Sequence, residues 1–291
     1  MSKLSPQLKE LIDASFARPG TVAAPKNIRS VYQRVAQEAG SKDVGLPCWL
    51  TMLTAATMTM NSPDSMVELH RVATPSRENR QEALNAAEMM REVGLKCISF
   101  NGIPRTINCL GAFRASLPSD IVNGLSTTPT RAPNVHNIKQ IHDRGQALWA
   151  SIYTPLDEKL VGKLAQSHPD LPVHIIDSHY GPLLADPPRE APDRTGTRVG
   201  RVLTSILAIA CLRAQTGVGP QVTSHLFGLR KACEEGRSLS SKSDGEEDVK
   251  GGQWLASDEG NLWILRSVDS IVEAIGAGAG TTFAPGIRAK L

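Results

Sequence analysis

Pro47-Cys48-Trp49-Leu50-Thr51-Met52-Leu53-Thr54-Ala55-Ala56-Thr57-Met58-Thr59-Met60 carries no charged residue from end to end. Apolar residues with interspersed threonines over this length predict a helix buried on most of its sides. Asn61-Ser62-Pro63-Asp64 follows and reads as a turn, with a capping residue and proline at the first helical position. Met66, Val67, Leu69, His70 and Val72 then form a short helix.

The same periodicity continues in both directions. Upstream, Leu4, Leu8, Leu11, Ile12 and Phe16 fall at helical spacing, as do Ile28, Val31, Tyr32, Val35 and Ala39, with Gly40 closing the second helix. Downstream, Pro75-Ser76 opens a helix through Leu84, Met90 and Val93 that ends at Gly94. Leu95 to Ser116 is apolar but broken at Gly102-Ile103-Pro104, which predicts a kink or a helix-turn-helix. Leu117 to Pro133 is rich in Ser, Thr and Pro and reads as the boundary between two halves. Helices are expected at 135–152, 156–166, 173–184, 198–215, 222–234 and 262–275, with a tight break at Thr216-Gly217-Val218-Gly219-Pro220 and a loop at 185–197. Residues 237–252 are polar and glycine-rich and read as a disordered insertion.

Composition points the same way. Aromatic residues are only 4% of the chain, which disfavours strands and favours an all-α fold. The 32 basic and 29 acidic residues nearly cancel, so there is no electrostatic footprint for nucleic acid. No run of about eighteen apolar residues occurs, so no membrane span is expected. The five cysteines are widely spaced and none has zinc-ligand spacing, so neither a disulfide framework nor a metal site is expected.

Two segments carry a resemblance. Gly102-Ile103-Pro104-Arg105-Thr106-Ile107-Asn108-Cys109-Leu110 resembles the bent helix, with an inward asparagine, of the carboxymuconolactone decarboxylase / alkylhydroperoxidase-D-like (AhpD-like) superfamily. Leu203 to Ala210, the turn at Gly217 and Ser224-His225-Leu226-Phe227-Gly228-Leu229 resemble its helical hairpin ending in histidine. Leu50 to Met60, the 62–64 turn and His70 repeat that layout 155 residues earlier. The resemblance implies a two-repeat AhpD-like helical bundle: N-terminal helices at 1–46, a first repeat at 47–133 and a second at 134–291. It also implies association into a dimer or trimer through helical faces.

The family's redox branch has Cys-x-x-Cys four residues before the histidine and a glutamate one helix earlier. Those cysteine positions hold Gln221 and Val218 before His225, and Met66 and Pro63 before His70; the glutamate positions hold Ile206 and Thr51. Thiol–disulfide exchange needs a thiolate and a resolving partner, and neither hairpin supplies them. The resemblance therefore predicts architecture without the redox activity, and an oligomeric scaffold or pseudoenzyme is the expected function. The alternative is a cofactor-independent enzyme or small-molecule binder that uses a histidine in a helical pocket, as in the decarboxylase branch. A third reading is a peroxidase-like antioxidant protein with a relocated cysteine.

His70 and His225 are the candidate acid/base groups, set against the plainer role of satisfied core histidines. Arg105 suits bidentate binding of a substrate carboxylate, with Asn108 beside it; the plainer reading has Asn108 bonding the bent helix and Arg105 solvated. His174, Asp177, Ser178 and His179 share one segment, but a catalytic triad is not expected from a single short helix. No cofactor is implied.

Ala289-Lys290-Leu291 resembles the C-terminal peroxisomal targeting tripeptide, on a tail from Gly276 rich in Gly, Ala and Thr that should be mobile. The expected partner is the peroxisomal import receptor and the expected location the peroxisomal matrix, with cytoplasm or mitochondrion as alternatives.

Overall fold

The computed structural model describes residues 4–14, 20–76, 79–186, 199–238 and 249–277. Among them there is no strand, and the fold is all-α. The helices are α1 (Pro6–Ile12), α2 (Ile28–Ser41), α3 (Leu46–Thr59), α4 (Pro63–Ala73), α5 (Arg80–Lys96), α6 (Ile98–Asn101), α7 (Ile103–Ser116) and α8 (Ser119–Gly124). They continue with α9 (Ile138–Tyr153), α10 (Asp157–Ser167), α11 (Asp170–His174), a π-helix (Ile175–Leu184), α12 (Arg201–Gln215), α13 (Gly219–Ser238), α14 (Gly252–Leu255) and α15 (Asp258–Gly276).

The α3 helix is the hub. Every residue from Cys48 to Thr59 is buried, and the helix packs against α12, α15, α5 and α4. Two of its four threonines are hydrogen-bonded at that depth, while the hydroxyls of Thr51 and Thr54 are buried without a partner. The Thr57 hydroxyl lies 2.6 Å from the Tyr32 hydroxyl, and Thr59 Oγ1 donates to the Ala55 carbonyl at 2.8 Å. The second apolar helix, α12, buries Leu203 through Leu212 and lies against α3. One core therefore draws on residues from Ile28 to Ile275, so the two halves of the chain do not pack separately. A smaller cluster of Trp149, Ile152, Ile176, Tyr180 and Leu184 lies between α9 and the π-helix.

Glycines set two close approaches. A methyl group at Gly94 would fall 2.6 Å from Leu110 Cδ2, and α5 runs through Gly94 to Lys96 where the sequence places its end at Gly94. A methyl at Gly181 would fall 2.6 Å from the Ile141 carbonyl oxygen, and one at Gly145 would fall 2.7 Å from Gly181 N. The α9 backbone thus touches the π-helix backbone directly. Pro182 sits within that π-helix and has no N–H to give, so a regular α ladder cannot close across it. The expected helix at 173–184 is thus two pieces, α11 and the π-helix.

Several other boundaries differ from expectation. The α1 helix buries no residue, and Leu4, Leu8, Leu11 and Ile12 are exposed, so the periodicity there marks a face without a covering surface. Ser62 does not cap α4; its hydroxyl donates to the Val22 carbonyl at 2.7 Å, tying the N-terminal chain to the turn. The α5 helix begins at Arg80, where Asn79 Oδ1 accepts from Glu82 N at 3.2 Å, rather than at Pro75. Gly102 forms the joint between α6 and α7 with φ 78°, a left-handed value that glycine adopts freely, and Pro104 follows in the first turn. The break at 216–220 likewise uses positive φ at Thr216 and Gly217.

Of the insertion expected at 237–252, residues 237–238 and 249–252 are among the described residues. The α13 helix continues to Ser238, and Gly252 is buried at the start of α14. Residues 239–248 lie outside the described residues, as do Phe16, the segment 187–198 and the tail with Ala289, Lys290 and Leu291.

Lys96 is fully buried at the end of α5. Its Nζ donates to the Leu184 carbonyl at 2.7 Å, the Val199 carbonyl at 2.6 Å and Asp186 Oδ1 at 2.8 Å. Glu92 Oε1 is 4.0 Å away and is itself held by Arg131. One ammonium thus ties α5, the end of the π-helix and the approach to α12. Lys96→Met keeps the volume and leaves these acceptors buried without a donor. It should lower the unfolding free energy by about 3–5 kcal/mol, as removing one partner of a buried pair does. Equilibrium urea unfolding measures this, and a loss below about 1 kcal/mol would show that the cluster is not structural.

Candidate functional site

The two hairpin histidines occupy different surroundings. His225 projects from α13 toward α9 and is 4% exposed. Its Nε2 lies 3.4 Å from the Tyr153 hydroxyl, which lies 3.0 Å from the Tyr180 hydroxyl. Trp149 packs on Tyr153 with ring centres 4.2 Å apart and meets Tyr180 edge-on at 5.1 Å. Phe100 meets the imidazole edge-on at 6.3 Å from the other side. Its Nδ1 is buried without a hydrogen-bond partner.

Burial sets the protonation state of this cluster. It lowers the His225 pKa to about 4 and raises both phenols above their ordinary value of 10. At neutral pH the chain from His225 through Tyr153 to Tyr180 is uncharged throughout. Such a chain can hold a ring in place or pass a proton, but it offers no anionic nucleophile. Gln221 and Val218, four and seven residues before His225, add no thiol.

His70 lies on α4 and is also largely buried. Its Nε2 is 2.9 Å from the Ala83 carbonyl, which can only accept, so Nε2 carries the proton. Phe113 meets the ring edge-on at 6.0 Å. Burial lowers the pKa below the usual 6.5, and nearby Arg71 adds to the shift. Unlike His225, His70 lines an open cleft.

The remaining candidates are placed as follows. Arg105 is half-buried, and its guanidinium donates to the Thr59 carbonyl at the last turn of α3. It thus satisfies one of the carbonyls that every helix end leaves unpaired, rather than standing solvated. Asn108 is exposed on α7; the buried asparagine near this bend is Asn101, whose Oδ1 accepts from Thr59 Oγ1 at 3.1 Å. The inward asparagine implied by the resemblance is therefore not at 108. The group at 174–179 does not form a triad: Asp177 pairs with His142 at 2.7 Å, His179 with Ser99 at 3.0 Å, and Ser178 is exposed.

All five cysteines are buried. The fold brings Cys97 and Cys211 to 3.6 Å between sulfurs, a pairing across 114 residues that their spacing in the chain does not reveal. Burial raises the thiol pKa to about 12 at Cys48 and about 11 at Cys109, and well above its ordinary value at Cys97. These are protonated, unreactive thiols. Among the described residues no group of His, Cys, Asp and Glu could hold a metal ion, and no helix is long and apolar enough to cross a membrane.

The sequence reading missed the tyrosines. Of the three tyrosines in the chain, Tyr153 meets His225 and Tyr180 meets Tyr153. In a chain so poor in aromatics, that scarcity was the available signal.

No family model matches this chain, and no solved structure matches it. Among curated proteins it is similar to one of Saccharomyces cerevisiae named "Peroxisomal protein 2", at 30% identity over 167 residues. That alignment covers 50% of this chain and 55% of the yeast protein, so it spans about half of each.

The buried imidazole makes stability depend on pH. The unfolded chain protonates His225 near the ordinary 6.5, the folded chain only near 4. The contribution is therefore complete above pH 6.5 and is lost as pH falls toward 4, by up to about 3 kcal/mol. Replacing His225 by Phe removes this proton uptake. Between about pH 7 and about pH 4.5 the wild type should lose about 2–3 kcal/mol more stability than His225→Phe, read from denaturant midpoints. Parallel losses in the two proteins would overturn the assignment.

Proposed function

We propose that this chain is a peroxisomal, AhpD-like helical protein of the two-repeat kind that has lost thiol chemistry and serves as an oligomeric scaffold. The observation that carries the reading is the packing around His225. Where the redox branch places a thiol pair, this chain places Gln221 and Val218. The imidazole beyond them is neutral and buried against Tyr153 and Phe100. The repeat at His70 agrees, with Met66 and Pro63 in the cysteine positions and the Nε2 proton committed to a carbonyl.

Exposed Ile103 and Ile107 on α7 and Phe227 on α13 offer apolar surface for association between copies. Two independent features support the location: the C-terminal Ala289-Lys290-Leu291 and the likeness to a yeast protein named for the peroxisome. The import receptor reads such a tripeptide as an address, so it would be a partner in transit.

Two measurements test the proposal. Purified protein given an alkyl hydroperoxide and a dithiol donor should consume no more peroxide than buffer does. Consumption that disappears in Cys97→Ser or Cys109→Ser would sink the claim of lost thiol chemistry. A fluorescent protein fused ahead of this chain should gather in peroxisomes and spread to the cytosol when Leu291 is deleted. An unchanged pattern on deletion would remove the tripeptide from the proposal.

A further inference from the structure

The cleft beside His70 lies outside the scaffold proposal and does not depend on the family reading. It is walled by α2, α4, the start of α5 and the segment 116–121, with a volume of about 620 Å³. That falls within the range of small-molecule sites, roughly 300–1,000 Å³. Three guanidiniums, those of Arg29, Arg71 and Arg80, border it from three different helices. All three side chains are about half exposed, at 52%, 56% and 53%.

Their partners are fewer than they are. Arg29 and Arg71 share one carboxylate, Glu68, at 2.6 Å from Arg29 Nη2 and in closer contact with Arg71 Nη1. Glu68 is only 20% exposed and so anchors both arginines from beneath. Arg80 donates to the Asp120 backbone carbonyl at 2.8 Å, and its Nε is 3.8 Å from the Asp120 carboxylate. Among the described residues, three cations stand against two carboxylates at the mouth. Two guanidiniums on a single carboxylate also retain donors that it cannot occupy, since each fork carries five N–H groups.

The remainder of the lining is of a different character. Val67, Ala83, Leu117 and Ile121 contribute apolar surface. His70 contributes its ring, and since Nε2–H is committed to Ala83, the nitrogen left to accept is Nδ1. A basic rim beside apolar lining, together with the neutral polar side chains of His70, Gln33, Thr74, Ser76 and Ser116, matches a molecule that is charged at one end and apolar at the other.

We infer that this cleft binds a small amphiphilic anion, a carboxylate or phosphate head on an apolar body, with the head on Arg29 and Arg71 and the body against Val67 and Leu117. Carboxylate and phosphate are both served by guanidinium forks, so the head group is the open variable.

Calorimetric titration of the full chain with octanoate, octyl phosphate and octan-1-ol tests it. At least one of the two anions should bind saturably at one per chain, and more tightly than the alcohol; the tighter anion names the head group. Arg29→Gln combined with Arg71→Gln should weaken that binding at least tenfold, while Arg34→Gln, outside the cleft, should leave it unchanged. Equal binding of octan-1-ol, undiminished binding by the double variant, or no binding of either anion would each overturn the inference. Hydrogen exchange on the wild type gives a reading that needs no variant. Saturation with the anion should slow exchange within 67–76 and 116–121, and slowing only elsewhere would refute the site.

Discussion

An ammonium group taken out of water must be surrounded by acceptors, or it destabilises the fold that buries it by several kcal/mol. Lys96 meets that demand with two backbone carbonyls and one carboxylate, drawn from chain segments 88 to 103 residues away. None of these acceptors belongs to α5. The position of the π-helix end and the entry to α12 are thereby fixed to the C-terminal turn of α5. The α12 helix in turn lies along α3, and α13 turns back from α12 to bring His225 to α9. The aromatic cluster at His225 therefore depends on a charge satisfied at a distance from it.

Burial then explains the chemistry of both histidines. At His225 burial beside Phe100 and the Tyr153 phenol drives the proton off the ring, and the buried phenols keep theirs. At His70 a carbonyl fixes the tautomer while the ring still borders the cleft. The two rings differ in what surrounds them: Phe100 and Tyr153 beside His225, and half-exposed arginines along the cleft that His70 borders.

The legible parts of the fold were those governed by local periodicity. The burial of α3 and α12 and the joint at Gly102 follow from spacing, chain punctuation and the conformational freedom of glycine. Lys96 was not legible, because a lysine near a helix end reads as solvated and its partners are far away in the chain. The π-helix was not legible either. Its geometry rests on Pro182 and on the contact of Gly145 with Gly181, which only tertiary packing creates. Of the site residues, the histidines were found from motif layout, while Tyr153, Tyr180 and the cleft arginines belong to elements with no motif. Arg105 was read for its chemistry, and the structure uses it for its reach, at a helix end.

The buried thiols bear on durability. With a pKa of about 11, Cys109 is ionised in about one molecule in ten thousand at neutral pH, and the fold closes access to the rest. Oxidation by peroxides proceeds through the thiolate, so a chain of this kind is a poor target for it. The five buried cysteines thus serve as small apolar packing units, and attack on them by an oxidant first requires the fold to open.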